Sequence, residues 1–92
     1  MAPRVTLYYS SVSGALMVKK KTSRLQDIFA GRKVEYDLVD VAADEQAKDY
    51  MQSKSGKNTL PQVFVDGEYK GGPDEIEEAN EDGAVQEFLG LV

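Results

Sequence analysis

Ninety-two residues make one small domain, near the lower limit for a chain that folds on a single core without staples. The chain contains no cysteine and no histidine. That excludes disulfides, a thiolate nucleophile and Cys-ligated metal, and it removes the commonest general base. A net charge of −5 argues against nucleic acid as a partner.

In chain order, Arg4 to Tyr9 alternates and is rich in β-branched and aromatic residues, so it reads as a first strand. Ser10 to Gly14 is a small polar loop. From Ala15 to Ala30 the positions Val18, Thr22, Leu25, Ile28 and Phe29 share one helical face. Gly31 is expected to close that helix. Val34 to Val41 reads as a second strand. Asp44 to Lys54 reads as a polar helix that buries Ala47, Tyr50 and Met51 and ends at Gly56. Pro61 opens a third strand, where a first residue need not donate to the ladder. Asp66-Gly67 between apolar residues signals a hairpin. Gly71-Gly72 leads into a helix with Pro73 at its first position and Asp74 and Glu75 in its first turn. Gly83 separates that helix from a last one, Ala84 to Leu89.

Strand, helix, strand, helix, hairpin, helix, helix implies a mixed four-stranded sheet with helices on both faces. The first two strands are expected to be parallel and central, with an antiparallel pair at one side. Residues 1–92 form one domain. Lys19, Lys20, Lys21 and Arg24 cluster on the first helix. Asp74, Glu75, Glu77, Glu78, Glu81 and Asp82 crowd the third. The plain reading of both is a solvated face; the other is steering of a charged partner. No apolar run approaches the ~18 residues of a membrane span, and the N-terminal residues do not read as a signal peptide. The expectation is a soluble protein of the cytoplasm, also compatible with the nucleus.

The segment Thr59-Leu60-Pro61-Gln62-Val63-Phe64-Val65-Asp66-Gly67, continuing to Gly71-Gly72, resembles the second half of a glutaredoxin. There a Thr-hydrophobic-Pro turn and a Gly-Gly turn hold glutathione. The resemblance implies a thioredoxin-like three-layer fold and a cis Pro61. In that family a Lys, then a Cys-x-x-Cys or Cys-x-x-Ser, follows the first strand. Aligned without a gap, the Lys falls on Ser11, the nucleophile on Gly14, the intervening aromatic on Leu16 and the second Cys on Met17. With the sulfur absent, thiol–disulfide exchange has no nucleophile, and Ser11 and Ser13 have no histidine to activate them.

Tyr9-Ser10-Ser11-Val12-Ser13-Gly14, Leu38-Val39-Asp40-Val41, Leu60-Pro61-Gln62-Val63 and Gln86-Glu87-Phe88-Leu89 resemble the SH3-domain-binding glutamic-acid-rich-like proteins. These are glutaredoxin-related, lack catalytic cysteines and are regarded as adaptors or modulators. The resemblance implies a non-enzymatic, monomeric module with a protein partner, no metal and no required cofactor. Pro3, Pro61 and Pro73 are too far apart to form a spaced-proline SH3 ligand. The remnant site implied by the resemblance comprises Ser11, Ser13, Gly14, Leu16, Thr59, Leu60, Pro61, Gly71, Gly72 and Asp74. Weak binding of glutathione or another peptide there is the alternative function. Pro73 lacks one of the amides that would hold the γ-glutamyl carboxylate.

Overall fold

The computed structural model describes residues 3–12 and 16–91. Strand β1 (Val5–Tyr9) is followed by helix α1 (Leu16–Gly31), strand β2 (Tyr36–Asp40) and helix α2 (Glu45–Ser55). Strands β3 (Gln62–Val65) and β4 (Glu68–Gly71) form the hairpin, and helices α3 (Pro73–Glu81) and α4 (Val85–Phe88) close the chain. The sheet order is β2-β1-β3-β4. β1 pairs parallel with β2 and antiparallel with β3, and β3 pairs antiparallel with β4.

This order corrects one expectation. β1 and β2 are parallel but not both central, because the hairpin joins the free side of β1 and leaves β2 at an edge. Among the described strands only β1 and β3 have two neighbours. Burial follows: all four residues of β3 are buried, whereas Asp37 and Leu38 of β2 are exposed.

Side-chain alternation divides the core into two layers. Val5, Leu7, Val63 and Val65 meet Leu25, Ile28 and Phe29 of α1 and Ile76 and Ala79 of α3, with Val85 and Leu89 at the C-terminal end. On the other face Tyr8 and Phe64 meet Val41 and Met51 of α2. The Tyr8 and Phe64 rings cross edge to face with centroids 4.9 Å apart, a favoured aromatic geometry. Helices thus cover both faces, the three-layer arrangement expected.

Local signals explain most boundaries. Asp44 caps α2 by accepting from the Ala47 amide at 3.0 Å, and Gly56 ends it with φ +70°, as capping and left-handed termination require. Asp66 and Gly67 both have positive φ, 54° and 83°, the pair of values a two-residue hairpin needs to match strand twist. Two expectations fail. Gly31 is still helical, and the left-handed residue past it is Lys33, φ 58°. Tyr50 is 40% exposed rather than buried. Its hydroxyl donates to the Gly67 carbonyl at 2.6 Å, so α2 tethers the hairpin tip through a polar end that must reach the surface.

Candidate functional site

The candidate residues lie in the loop after β1, the turn into β3 and the turn into α3. Gly14 and Ser13 lie outside the described residues. Ser11 is fastened to the end of β2: its amide donates to Asp40 Oδ1 at 3.1 Å and its hydroxyl to Asp40 Oδ2. The Ala42 amide also donates to Oδ1 at 3.0 Å. These donors, the Ser11 hydroxyl foremost, hold the Asp40 carboxyl below the usual carboxylate range, because each bond favours the charged form. Ser11 therefore serves as a loop anchor where the family resemblance puts a lysine.

Beyond it the surface turns apolar. Val12 is 78% exposed, Leu16 64% and Met17 59%. Helix α1 begins at Leu16, ahead of its buried positions Thr22, Leu25, Ile28 and Phe29, and in its first turn only Val18 is half-buried.

At the second turn the Leu60–Pro61 peptide bond is cis. Pro61 is buried, Leu60 half-buried and Thr59 exposed. Gln62, 1% exposed, fixes this turn: its Nε2 donates to the carbonyls of Thr59 at 2.7 Å and Lys57 at 3.1 Å. Its Oε1 meets no protein donor among the described residues. Sequence reasoning missed Gln62, although a Gln inside a short apolar strand is a signal, since a buried amide must find partners.

The third turn is closed from within. The Gly72 amide donates to Glu75 Oε2 at 3.2 Å. This is the carboxylate half of a capping box, since glycine has no side chain to supply the other half. Gly72 adjoins the second turn: a Cβ built on it would lie 3.8 Å from the Pro61 carbonyl oxygen. Gly71 has a steric reason to be glycine, because a Cβ there would come within 3.2 Å of Glu75 Cβ and 3.4 Å of the Phe88 ring. The role of Glu75 was also missed. Its signal was a Glu three residues past the cap, hidden because the cap is a glycine.

A cavity of about 660 Å³ brings Ser10 and Val12 of the loop together with Leu60, Ala42, Lys48 and Gln52. Neither Leu16 nor Asp74 lines it. The predicted residues thus divide. Val12 and Leu60 share a groove, Gly72 sits beside Pro61, and Leu16 stands on the exposed start of α1. No cluster of three or more acidic side chains suited to a metal occurs among the described residues. No helix among them is long and apolar enough to cross a membrane.

A mixed sheet of order β2-β1-β3-β4 with helices on both faces defines the thioredoxin-like α/β class. Solved structures agree. The buckwheat glutaredoxin–glutathione complex superposes with a TM-score of 0.73 at 20% identity, covering 97% of this chain and 78% of that one. The actin interacting protein Aip5 of C. albicans superposes with a TM-score of 0.82 at 29% identity, covering 98% and 91%.

The family model for SH3-binding, glutamic acid-rich protein matches residues 3–92, and the chain belongs to that family. A Drosophila melanogaster SH3 domain-binding glutamic acid-rich protein homolog is 34% identical over 99 residues, which takes in 92% of this chain. The chain spans less than two thirds of the curated relatives it matches, 63% in that case.

Proposed function

We propose that this chain is a redox-inactive, glutaredoxin-like module that binds a protein partner through the loop half of the remnant site. The observation that carries the reading is the exposure of Val12, Leu16 and Met17, at 78%, 64% and 59%. Large apolar side chains left in water are what an interaction surface requires. A chain without cysteine or histidine offers neither the thiolate of a glutaredoxin nor a base for a serine. The module works as a monomer, without a cofactor and without nucleic acid or membrane, in the cytoplasm. The name of the C. albicans relative supports actin as the first partner to test.

Co-sedimentation with filamentous actin tests this. The unmodified chain should pellet with filaments, and Leu16→Ser with Met17→Ser should not, at unchanged thermal stability. Failure of the unmodified chain to pellet overturns filamentous actin as the partner. Equal pelleting of the variant overturns the choice of surface.

A second reading, weak capture of glutathione or another short peptide, is favoured by the cavity between Val12 and Leu60. Against it, Pro73 has no amide to give and the Gly72 amide is already taken by Glu75. An NMR titration with glutathione separates the two. Saturable shifts at Leu60, Gly72 and Asp74 support this second reading, and none at millimolar glutathione removes it.

A further inference from the structure

Strand β2 lies at the sheet edge, and its main-chain directions follow from one bond. The Val41 amide donates to the Tyr9 carbonyl at 2.9 Å across the parallel ladder. By the alternation of a parallel pair, Asp37, Val39 and Val41 therefore turn their main-chain groups toward β1. Those of Tyr36, Leu38 and Asp40 turn away from the sheet. The Asp40 carbonyl, one of this outward set, is taken by the amides of Ala43 and Asp44, both at 3.1 Å. No described strand pairs with the outward groups of Tyr36 and Leu38.

The two faces of this edge differ in chemistry. Leu38, 44% exposed, forms one wall of a cavity of about 390 Å³ whose other walls include Tyr9 of β1 and Lys19, Thr22 and Gln26 of α1. On the opposite face stand Asp37 and, just before the strand, Glu35, both exposed and in neither of the ion pairs among the described residues. The other edge, β4, is defended. It carries Lys70, its pairing with β3 has a register irregularity at Val63/Phe64, and α2 packs against it. Lysine and bulges are the usual devices against strand addition. β2 has its carboxylates alone.

We propose that β2 accepts an extended segment of a partner protein as a fifth strand, antiparallel to it. The segment carries an apolar residue opposite Leu38 and lysine or arginine one and three positions after it. The residue opposite Leu38 exchanges both main-chain bonds with it and enters the cavity, where Lys19 at the rim disfavours a cation. The residues one and three positions after it fall on the other face, opposite Asp37 and Glu35, where a cation is favoured, and the residue before it faces Val39. A second copy of this chain fits less well. Antiparallel pairing centred on Leu38 would set the two Asp37 carboxylates diagonally on one face, a like-charge contact.

The test uses two end-blocked peptides, Lys-Val-Lys-Val-Lys-Val-Lys and its Glu-for-Lys counterpart, titrated against the full chain by amide NMR. The lysine peptide should shift and protect from exchange the amides of Tyr36, Leu38 and Asp40. The glutamate peptide should not. Asp37→Lys should weaken the lysine peptide roughly fivefold or more and admit the glutamate peptide. Four results overturn the proposal: no response to the lysine peptide, a response confined to β4 or to Leu16 and Leu60, equal binding of both peptides, or concentration-dependent shifts at Leu38 without peptide, which would mark a second copy as the occupant. The peptide comparison on the unmodified chain stands even if Asp37→Lys fails to fold.

Discussion

The two halves of the remnant site have become opposites. The turn half is satisfied from within: Gln62 holds the carbonyls of Lys57 and Thr59, and Glu75 covers the Gly72 amide. Among its described residues the loop half is fastened by Ser11 to Asp40, and it displays Val12, Leu16 and Met17 to solvent. The Gly72 amide, a main-chain donor that would hold a small anionic ligand, is engaged by Glu75, while apolar area that would bury against a protein surface is left open. The difference teaches which class of partner the edge suits. Ligands that need amides compete with internal bonds. A partner that buries hydrocarbon does not.

The comparison breaks most sharply at Gln62. Gln62→Ala removes two buried donors to main-chain carbonyls and leaves space behind, so it should cost about 2–4 kcal/mol, read as a lowered urea midpoint. The same variant should loosen the turn at Thr59 and leave the Ser11 amide shift in place. If stability is unchanged, the turn half is not held by Gln62.

A smaller loss is expected from Glu75→Ala, about 0.5–2 kcal/mol, as for other lost helix caps. Its value is that it unblocks the Gly72 amide. If the internal carboxylate is what closes this half, glutathione should perturb Gly72 in the variant more than in the unmodified chain. An equal response in both would mean that Glu75 occludes nothing.

Leu16→Ser and Met17→Ser should each change stability by less than about 0.5 kcal/mol, since neither side chain is packed. Their effect belongs to partner binding alone. A large destabilisation would show that the loop half is structural rather than presented.

The finest test is a titration. Because Asp40 is held below its unfolded value, near ~3.9, its contribution is fully present above that pH. It is lost as pH falls through the depressed folded value. Ser11→Ala should bring the Asp40 titration, followed by carboxyl carbon NMR, back up toward the ordinary range. The carboxylate is only half-buried, so the consequence for global stability is small and the local Ser11 amide is the reporter.

Much of the fold was legible because its signals are local. Asp66-Gly67 announces the hairpin, Asp44 and Gly56 bracket α2, and Leu25, Ile28 and Phe29 mark the buried stripe of α1. What was not legible depends on contacts distant in sequence. Whether β2 is central or an edge turns on where the hairpin docks, some 25 residues later. Tyr50 reads as a core aromatic until Gly67, 17 residues on, supplies a partner for its hydroxyl. Gly31 looks like a helix stop, but the Val34 amide bonds the Phe29 carbonyl at 2.8 Å, which moves the left-handed residue to Lys33. For the site, the exposed start of α1 followed from the gap between Leu16 and the core stripe. The self-closure by Gln62 and Glu75 did not, since both look like ordinary polar residues until the turns are folded.

The central claim is that the loop half receives a protein partner and the turn half does not. Amide-resolved NMR of the labelled chain during titration with monomeric actin addresses it directly. The account predicts signal loss that begins at Val12, Leu16 and Met17 and spares Gly72, Asp74 and the acidic face of α3. Loss centred on Glu77, Glu78 and Glu81, or on Gly72 and Asp74 with Leu16 unchanged, would contradict it.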